Sequence, residues 1–273
     1  MTLKGAFMRY RLMAVDIDGT LLNDRNEITP NTKNAIRQAV EKGLIFTIAS
    51  GRPIQGIEWL NKALDLDVPY ITYNGAMVVM GKSRKVLYEQ KLSEKDADDI
   101  IKLGEKYGTT VLVWKDDVLY VRKMDERVKI YKALARVEPV VTDDMCQVIR
   151  GGVTKILWFD EIDKIEQCRR EIGEYLSENV NFHPSKPNFM EFVDKNASKA
   201  IAMEKLGEYF GIDRSEMIAV GDGYNDISMI EYAGLGVAMA NSPDDVKAKA
   251  DYITLSNEED GVAHVIHKFI LNV

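Results

Sequence analysis

The stretch Leu12–Thr20, LMAVDIDGT, decides the architecture. Leu12–Ile17 reads as a buried strand that runs into acid at Asp16 and Asp18. Gly19 permits an unusual backbone turn just beyond them. Two residues apart on an extended chain, the two carboxylates are expected to point the same way. A second acidic run, Gly221–Asp226 (GDGYND), follows the apolar stretch Met217–Val220 near the other end of the chain. Carboxylates gathered at the ends of neighbouring strands repel one another unless a cation lies between them.

Working outward from the first strand, Thr29-Pro30 reads as an N-cap followed by proline at the first helical position. Ala35, Ile36, Ala39 and Val40 share one helical face, and Gly43 closes the helix. Leu44–Ala49 is a second apolar strand. Ser50-Gly51-Arg52-Pro53 is a turn that opens a helix ending near Leu64, and Tyr70–Tyr73 is a third strand, stopped by Asn74-Gly75. Strands alternating with helices at this interval predict βαβ units and a parallel sheet. The rhythm then changes. Met77–Met80 with Val86–Tyr88, Thr110–Trp114 with Leu119–Arg122, and Val180–His183 with Phe189–Val193 are strand pairs. Helices are expected from Ser93 and over Ile162–Ser177, and a lone strand over Lys155–Phe159. Residues 83–193 are therefore expected to form an inserted α+β domain. The first rhythm returns with a helix over Ser198–Phe210, strands at Met217–Val220, Leu235–Met239 and Tyr252–Leu255, and helices over Asp226–Tyr232, Pro243–Ala250 and Val262–Ile270. One α/β core domain, residues 1–82 and 194–273, is thus assembled from both ends of the sequence.

The 273 residues carry 46% apolar and 29% charged side chains, the balance of a globular protein with a substantial core. A formal net charge of −7 argues against nucleic acid or an anionic membrane as the main partner. No apolar run is long enough to span a bilayer, and Met1–Arg11 lacks the apolar centre of a signal peptide. Met8 is an alternative start to Met1. Cys146 and Cys168 have neither metal nor disulfide spacing, which fits a cytoplasmic location. Oligomeric state is not readable.

In a parallel α/β sheet, ligands bind outside the carboxyl ends of the strands, where both acidic runs are expected. One carboxylate of the Asp16/Asp18 pair could attack phosphorus. The other could protonate a leaving oxygen and later deprotonate water. Asp222 and Asp226 add further oxygen donors, although Asn225 or Asp226 could equally cap the following helix. With no His or Cys beside these acids, hard oxygen ligands favour Mg²⁺ over zinc. Ser50, with backbone N–H groups such as that of Gly51, could hold a phosphate oxygen at a helix start. It serves as an N-cap just as well, and the two roles are compatible. Arg52 could pair with a substrate anion or lie on the surface. Lys199, with Lys195 as its rival, could offset phosphoryl charge. Asn74 reads either as turn chemistry or as a polar substrate contact.

The segments AVDIDGTLL, IASGR, ITYNGA, DKNASK and GDGYNDISMI, in this order, resemble the haloacid dehalogenase superfamily in its Cof-type branch of phosphatases. The resemblance extends over nearly the whole chain. It implies a Rossmann-like three-layer core with a central parallel sheet and an inserted α+β cap domain of type C2, a lid that selects the substrate. It implies that Asp16 is a nucleophile that becomes a phosphoaspartate, that Asp18 is the general acid and base, and that Ser50 and Lys199 bind the phosphoryl group. Mg²⁺ would be held by Asp16, the Asp18 backbone carbonyl and Asp222, with Asp226 binding or orienting that shell. Asn225 would support the lysine or the metal shell, and Thr20 would steady the first loop. One departure is Ala200, where the family often has glycine after the motif lysine. The implied activity is Mg²⁺-dependent hydrolysis of small phosphorylated metabolites, either sugar phosphates or phosphorylated cofactors. A phosphotransferase or phosphomutase would use the same groups. A receiver-like phosphoaspartate signalling module also gathers acids, a hydroxyl and a lysine, but is much shorter and has no use for the insertion.

Overall fold

A computed structural model describes residues 8–272. The Met1 start, and most of the segment weighed as a signal peptide, lie outside the described residues. In chain order the first elements are β1 (Leu12–Val15), α1 (Pro30–Glu41), β2 (Ile45–Ala49), α2 (Glu58–Leu64), β3 (Tyr70–Thr72), β4 (Met77–Val79) and β5 (Val86–Glu89). They are followed by α3 (Glu94–Tyr107), β6 (Thr110–Lys115), β7 (Val118–Val121), α4 (Glu126–Ala135), β8 (Val140–Val141), α5 (Met145–Val148), β9 (Lys155–Phe159), α6 (Ile162–Glu171), β10 (Val180–Lys186) and β11 (Phe189–Asp194). The last are α7 (Lys199–Phe210), β12 (Met217–Gly221), α8 (Ile227–Tyr232), β13 (Leu235–Ala238), α9 (Asp244–Lys247), β14 (Tyr252–Ile253) and α10 (Gly261–Ile266).

The chain divides into two compact units. The first comprises the residues up to Gly51, Trp59–Leu87 and those from Ser198 onward; the second comprises Arg52–Glu58 and Tyr88–Ala197. Relative to the insertion expected at 83–193, both limits are shifted a few residues toward the C-terminus, for local reasons. The Met80–Lys85 turn keeps β5 beside β4, with Met80 N donating to Lys85 O at 2.9 Å. At the far end Lys195 N donates to Asn179 O at 2.8 Å, tying the residues after β11 to the second unit. Gln55 Nε2 donates to Asp117 O at 2.8 Å, which draws the short segment after Gly51 into it as well.

The first unit is an α/β domain. Its sheet has the order β14-β13-β12-β1-β2-β3-β4-β5, and β14 through β3 run parallel. β1, β12 and β13 are buried along their whole length, as strands covered on both faces must be. Helix α1 packs against α10, and α7 against α8, forming the two outer layers. Thr29 does cap α1, its hydroxyl accepting from Thr32 N at 3.1 Å, with Pro30 in the first turn. In register, Val15 pairs with both Val220 and Ile48, so β1, β2 and β12 deliver their carboxyl ends to one line.

Several boundaries differ from expectation. β1 stops at Val15, because Leu21 N donates to Asp16 O at 3.2 Å and Leu22 N to Ile17 O at 2.9 Å. The chain therefore turns just past Asp16, which still reaches the β12 ladder, and Asp18 lies in the turn: Asp16 is buried and Asp18 exposed. β3 stops at Thr72, since Tyr73 and Asn74 adopt φ of 54° and 57°. α9 is shorter than Pro243–Ala250, and α10 widens after Ile266 into a π turn over His267–Leu271.

The second unit is α+β. Its sheet, in the order β10-β11-β9-β6-β7-β8, is antiparallel except where β8 lies parallel to β7. Ile100 and Leu103 of α3 and Ile165 and Cys168 of α6 cover one face, packing with Val113, Ile156, Trp158, Met190 and Phe192. On the opposite face Tyr131 of α4 packs edge-on against Trp114 and Phe189. Beneath it Lys155 Nζ and Glu191 Oε2 form a buried ion pair at 3.2 Å.

Candidate active site

The carboxyl ends of β1 and β12 bring the two acidic runs together. Asp16 N donates to Val220 O at 3.0 Å, continuing the ladder one residue past β1 and fixing the origin of the Asp16 side chain. One oxygen from each of Asp16, Asp222 and Asp226 lies within 4.8 Å of the others. Gly19, at φ +79°, lets the first loop pass against this cluster: a Cβ there would come within 2.5 Å of Asp222 Oδ2. Thr20 Oγ1 donates to Asp222 Oδ1 at 2.7 Å, so the loop after β1 orients an acid that follows β12.

Lys199 completes the cluster. Ser198 caps α7, its hydroxyl accepting from Ile201 N at 3.1 Å, and Lys199 is the first helical residue. Alanine at position 200 is accommodated as the second residue of α7. Gly75, at φ +97°, allows the turn after β3 to touch the start of α7; a Cβ there would lie 2.1 Å from Ser198 O. The buried Lys199 ammonium donates to Asp16 Oδ1 at 2.5 Å and to Asp226 Oδ1 at 2.6 Å. Asp226 Oδ2 accepts from Asp222 N at 3.1 Å and Gly223 N at 2.9 Å. Both oxygens of Asp226 are thus committed, one to the lysine and one to the turn that carries Asp222.

The electrostatics follow from this crowding. Burial pushes the Asp16 carboxyl well above the usual range, and the charges of Asp226 and Asp222 push the same way against Lys199. Asp222 is raised to about 6, chiefly by burial, with Asp226 and Asp18 adding to the rise and the Thr20 hydroxyl and Lys199 opposing it. For Lys199 burial works downward, but Asp16 and Asp226 outweigh it and hold the ammonium above its ordinary value. Every acid here is an oxygen donor, and their mutual repulsion is what a divalent cation would relieve. The donor set suits a hard ion such as Mg²⁺.

The other expected site residues are placed as follows. Ser50 is buried just past β2, its N–H donating to Ile71 O at 2.8 Å and its carbonyl accepting from Asn74 N at 3.0 Å. Gly51 packs on the Asn74 side chain, where a Cβ would come within 2.8 Å of Asn74 Oδ1. Asn225, exposed, donates from Nδ2 to Asn74 Oδ1 at 3.3 Å, joining the turns after β3 and β12. The Asp18 carboxylate is outside the three-acid group. Lys195, the rival of Lys199, is an exposed residue of the second unit, and Arg52, half-buried, also belongs to it. Sequence reasoning missed Asn241, whose Nδ2 donates to Gly19 O at 2.8 Å. Asn-Ser-Pro reads only as a turn, and nothing in it points to a loop two strands away.

Comparison with known proteins identifies the family of the chain. Residues 13–266 match the family of haloacid dehalogenase-like hydrolases. The 5-amino-6-(5-phospho-D-ribitylamino)uracil phosphatase YcsE of Bacillus subtilis (strain 168) is 33% identical over 264 residues, covering 96% of this chain and 96% of its own. The crystal structure of TM0651 from Thermotoga maritima superposes with a TM-score of 0.85 at 31% identity, covering 95% of this chain and 97% of that one. The subclass IIB sugar phosphatase BT4131 superposes with a TM-score of 0.78 at 28% identity, covering 95% and 98%. The chain belongs to the haloacid dehalogenase-like hydrolase family and is an enzyme of its phosphatase class.

Proposed function

We propose that the protein hydrolyses small phosphate monoesters through a phosphoaspartate on Asp16, with Mg²⁺ held by Asp16, Asp222 and the Asp18 carbonyl. The observation that carries this reading is the convergence of Asp16, Asp222 and Asp226 on one point, with Lys199 bound to Asp16. Mg²⁺, when bound, neutralises charge on the phosphoryl oxygens and keeps the Asp16 carboxyl ionised. Asp16 Oδ1 is held by Lys199, which leaves Oδ2 to attack phosphorus in line with the departing oxygen. The new bond is Oδ2–P; the ester P–O bond breaks, and Asp18 gives its proton to the leaving alcohol. Asp18 then takes a proton from water as its oxygen attacks phosphorus and the Oδ2–P bond breaks, releasing phosphate. Lys199 and Ser50 hold the phosphoryl oxygens through both steps. Asp226, with both oxygens committed, orients the metal shell and the lysine.

Several relatives bear on the substrate. YcsE is named for a phosphorylated ribityl compound and BT4131 as a sugar phosphatase, both carrying phosphate on a sugar or polyol chain. This supports sugar phosphates or phosphorylated cofactors as the substrate class. The inserted α+β domain is assigned the role of substrate-selecting lid, with Arg52 and Asn74 as contacts to the substrate. Two free thiols suit a reducing, cytoplasmic setting. Among the described residues no helix is long and apolar enough to cross a membrane.

The test is a panel of phosphorylated metabolites assayed with Mg²⁺ and with a chelator. Release of free phosphate in water, dependent on Mg²⁺ and without an added acceptor, supports hydrolysis. Transfer only to a sugar hydroxyl, or turnover indifferent to chelation, contradicts it.

A further inference from the structure

Asp18 and Thr20 sit on a loop beyond the end of a strand, and loops position side chains less sharply than strands do. Within the loop's own segment, an isolated bridge joins Asp18 and Leu22, and turn hydrogen bonds add to it. The loop is, however, gripped from one side at two carbonyls. Asn241, just past β13, donates from Nδ2 to Gly19 O at 2.8 Å. Asn257 donates from Nδ2 to Leu22 O at 3.1 Å and to Asp24 Oδ1 at 3.2 Å. The two asparagines are joined, since Asn241 Oδ1 accepts from Asn257 N at 3.1 Å. With a carbonyl at one end of the Asn241 amide and an N–H at the other, only one orientation of that amide satisfies both partners. Asn241 reaches past β12 to do this, because the strand order is β13-β12-β1.

We infer that Asn241 is a positioning residue for the phosphatase reaction: with Asn257 it clasps the Gly19–Asp24 loop and so fixes Asp18 and Thr20. The inference rests on the roles proposed above for Asp18 and Asp222. The Gly19–Thr20 peptide that Asn241 holds follows Asp18 directly. It also carries the Thr20 hydroxyl that orients Asp222 at 2.7 Å. Small displacements of a general acid or a metal ligand are costly to rate and leave ground-state binding little changed. Asn241 is exposed, so its loss leaves no buried polar group stranded and the fold intact.

The test has two readouts. The first is amide hydrogen exchange without divalent metal on wild type, Asn241→Ala and Asn241→Asp. The amides of Leu21 and Leu22 should exchange about tenfold faster in both variants, those of β1 unchanged, consistent with loss of a hydrogen bond of ordinary worth. The second is steady-state kinetics on the best phosphate monoester with Mg²⁺: kcat should fall about tenfold and KM stay within about twofold. Asn241→Asp should be no better than alanine, because it keeps the acceptor for Asn257 N but faces a carboxylate to Gly19 O. Adding Asn257→Ala to Asn241→Ala should cost less than the sum of the single changes. Unchanged exchange at Leu21 and Leu22 overturns the inference whatever the activity. So does a kcat within about twofold of wild type, or a loss confined to KM. A wild type inactive on every monoester would instead count against the proposed function, while the exchange readout still decides the clasp.

Discussion

Lys199 Nζ lies 2.5 Å from Asp16 Oδ1, a buried cation bound to the carboxylate assigned as nucleophile. The contact joins the first strand to the helix that returns the chain after the insertion, and it lowers the cost of ionising a buried nucleophile. Burial alone favours the neutral acid, and the neighbouring acids reinforce this; the ammonium and a bound cation oppose them. Lys199→Met should therefore lower turnover by about a hundredfold or more. It should also destabilise the metal-free protein by about 3 kcal/mol, since the same ammonium binds Asp226. Urea denaturation in chelator and kcat in Mg²⁺ check the two parts separately. A variant with wild-type turnover would show that the lysine serves the fold only.

Asp222 supplies a pH signature. Its folded-state pKa is about 6, against the ordinary carboxylate value of 3.8. Between those values the folded state binds the proton and the unfolded state releases it. This contribution to stability is fully present below pH 3.8 and is lost as pH rises through about 6. In chelator, wild type should lose stability relative to Asp222→Asn across this window, and the difference should be flat above it. A difference that instead grows with pH would contradict the assigned shift. Apparent Mg²⁺ affinity should weaken below the same pH, as protons compete for the ligand.

Gly75→Ala tests how the turn after β3 seats the start of α7. The position combines φ +97° with a would-be Cβ 2.1 Å from Ser198 O. A cost of about 2–4 kcal/mol is expected, read as a lowered urea midpoint at unchanged slope. Because the clash falls one residue from Lys199, kcat should fall in the protein that remains folded. Full stability in this variant would mean the two turns do not meet as described.

In the second unit, Lys155→Met should cost about 3–5 kcal/mol by removing the cation that faces buried Glu191. Adding Glu191→Leu should recover much of that loss, because an apolar pair of similar size carries no desolvation penalty. Denaturant titration of the two single variants and the double variant gives the coupling directly. Additive losses would place the pair's importance in other contacts.

The fold was legible where periodicity and punctuation coincide. Thr29-Pro30 starts a helix as read, the strand expected over Leu12–Ile17 is present as far as Val15, and the helix expected over Ser198–Phe210 runs from Lys199. Legibility failed where tertiary contacts override local pattern. Asp16 and Asp18 were expected on one strand face, but hydrogen bonds from Leu21 and Leu22 turn the chain just past Asp16, leaving Asp16 buried and Asp18 exposed. Strand β8 and helix α5 left little periodic signal: β8 is two exposed valines after a proline, and α5 is a single turn. The acids and the lysine could be named because few other roles gather such groups at strand ends. Asn241 could not, since its partner is a carbonyl, which every residue possesses.

The claim on which the rest depends is that Asp16 itself accepts the phosphoryl group. The most direct measurement is Mg²⁺-dependent turnover by Asp16→Asn on the best monoester from the panel. The amide keeps the size of the side chain but is a far poorer nucleophile, so turnover should vanish in a protein that still melts cooperatively. Turnover close to wild type in that variant would contradict a phosphoaspartate at Asp16 and the mechanism built on it.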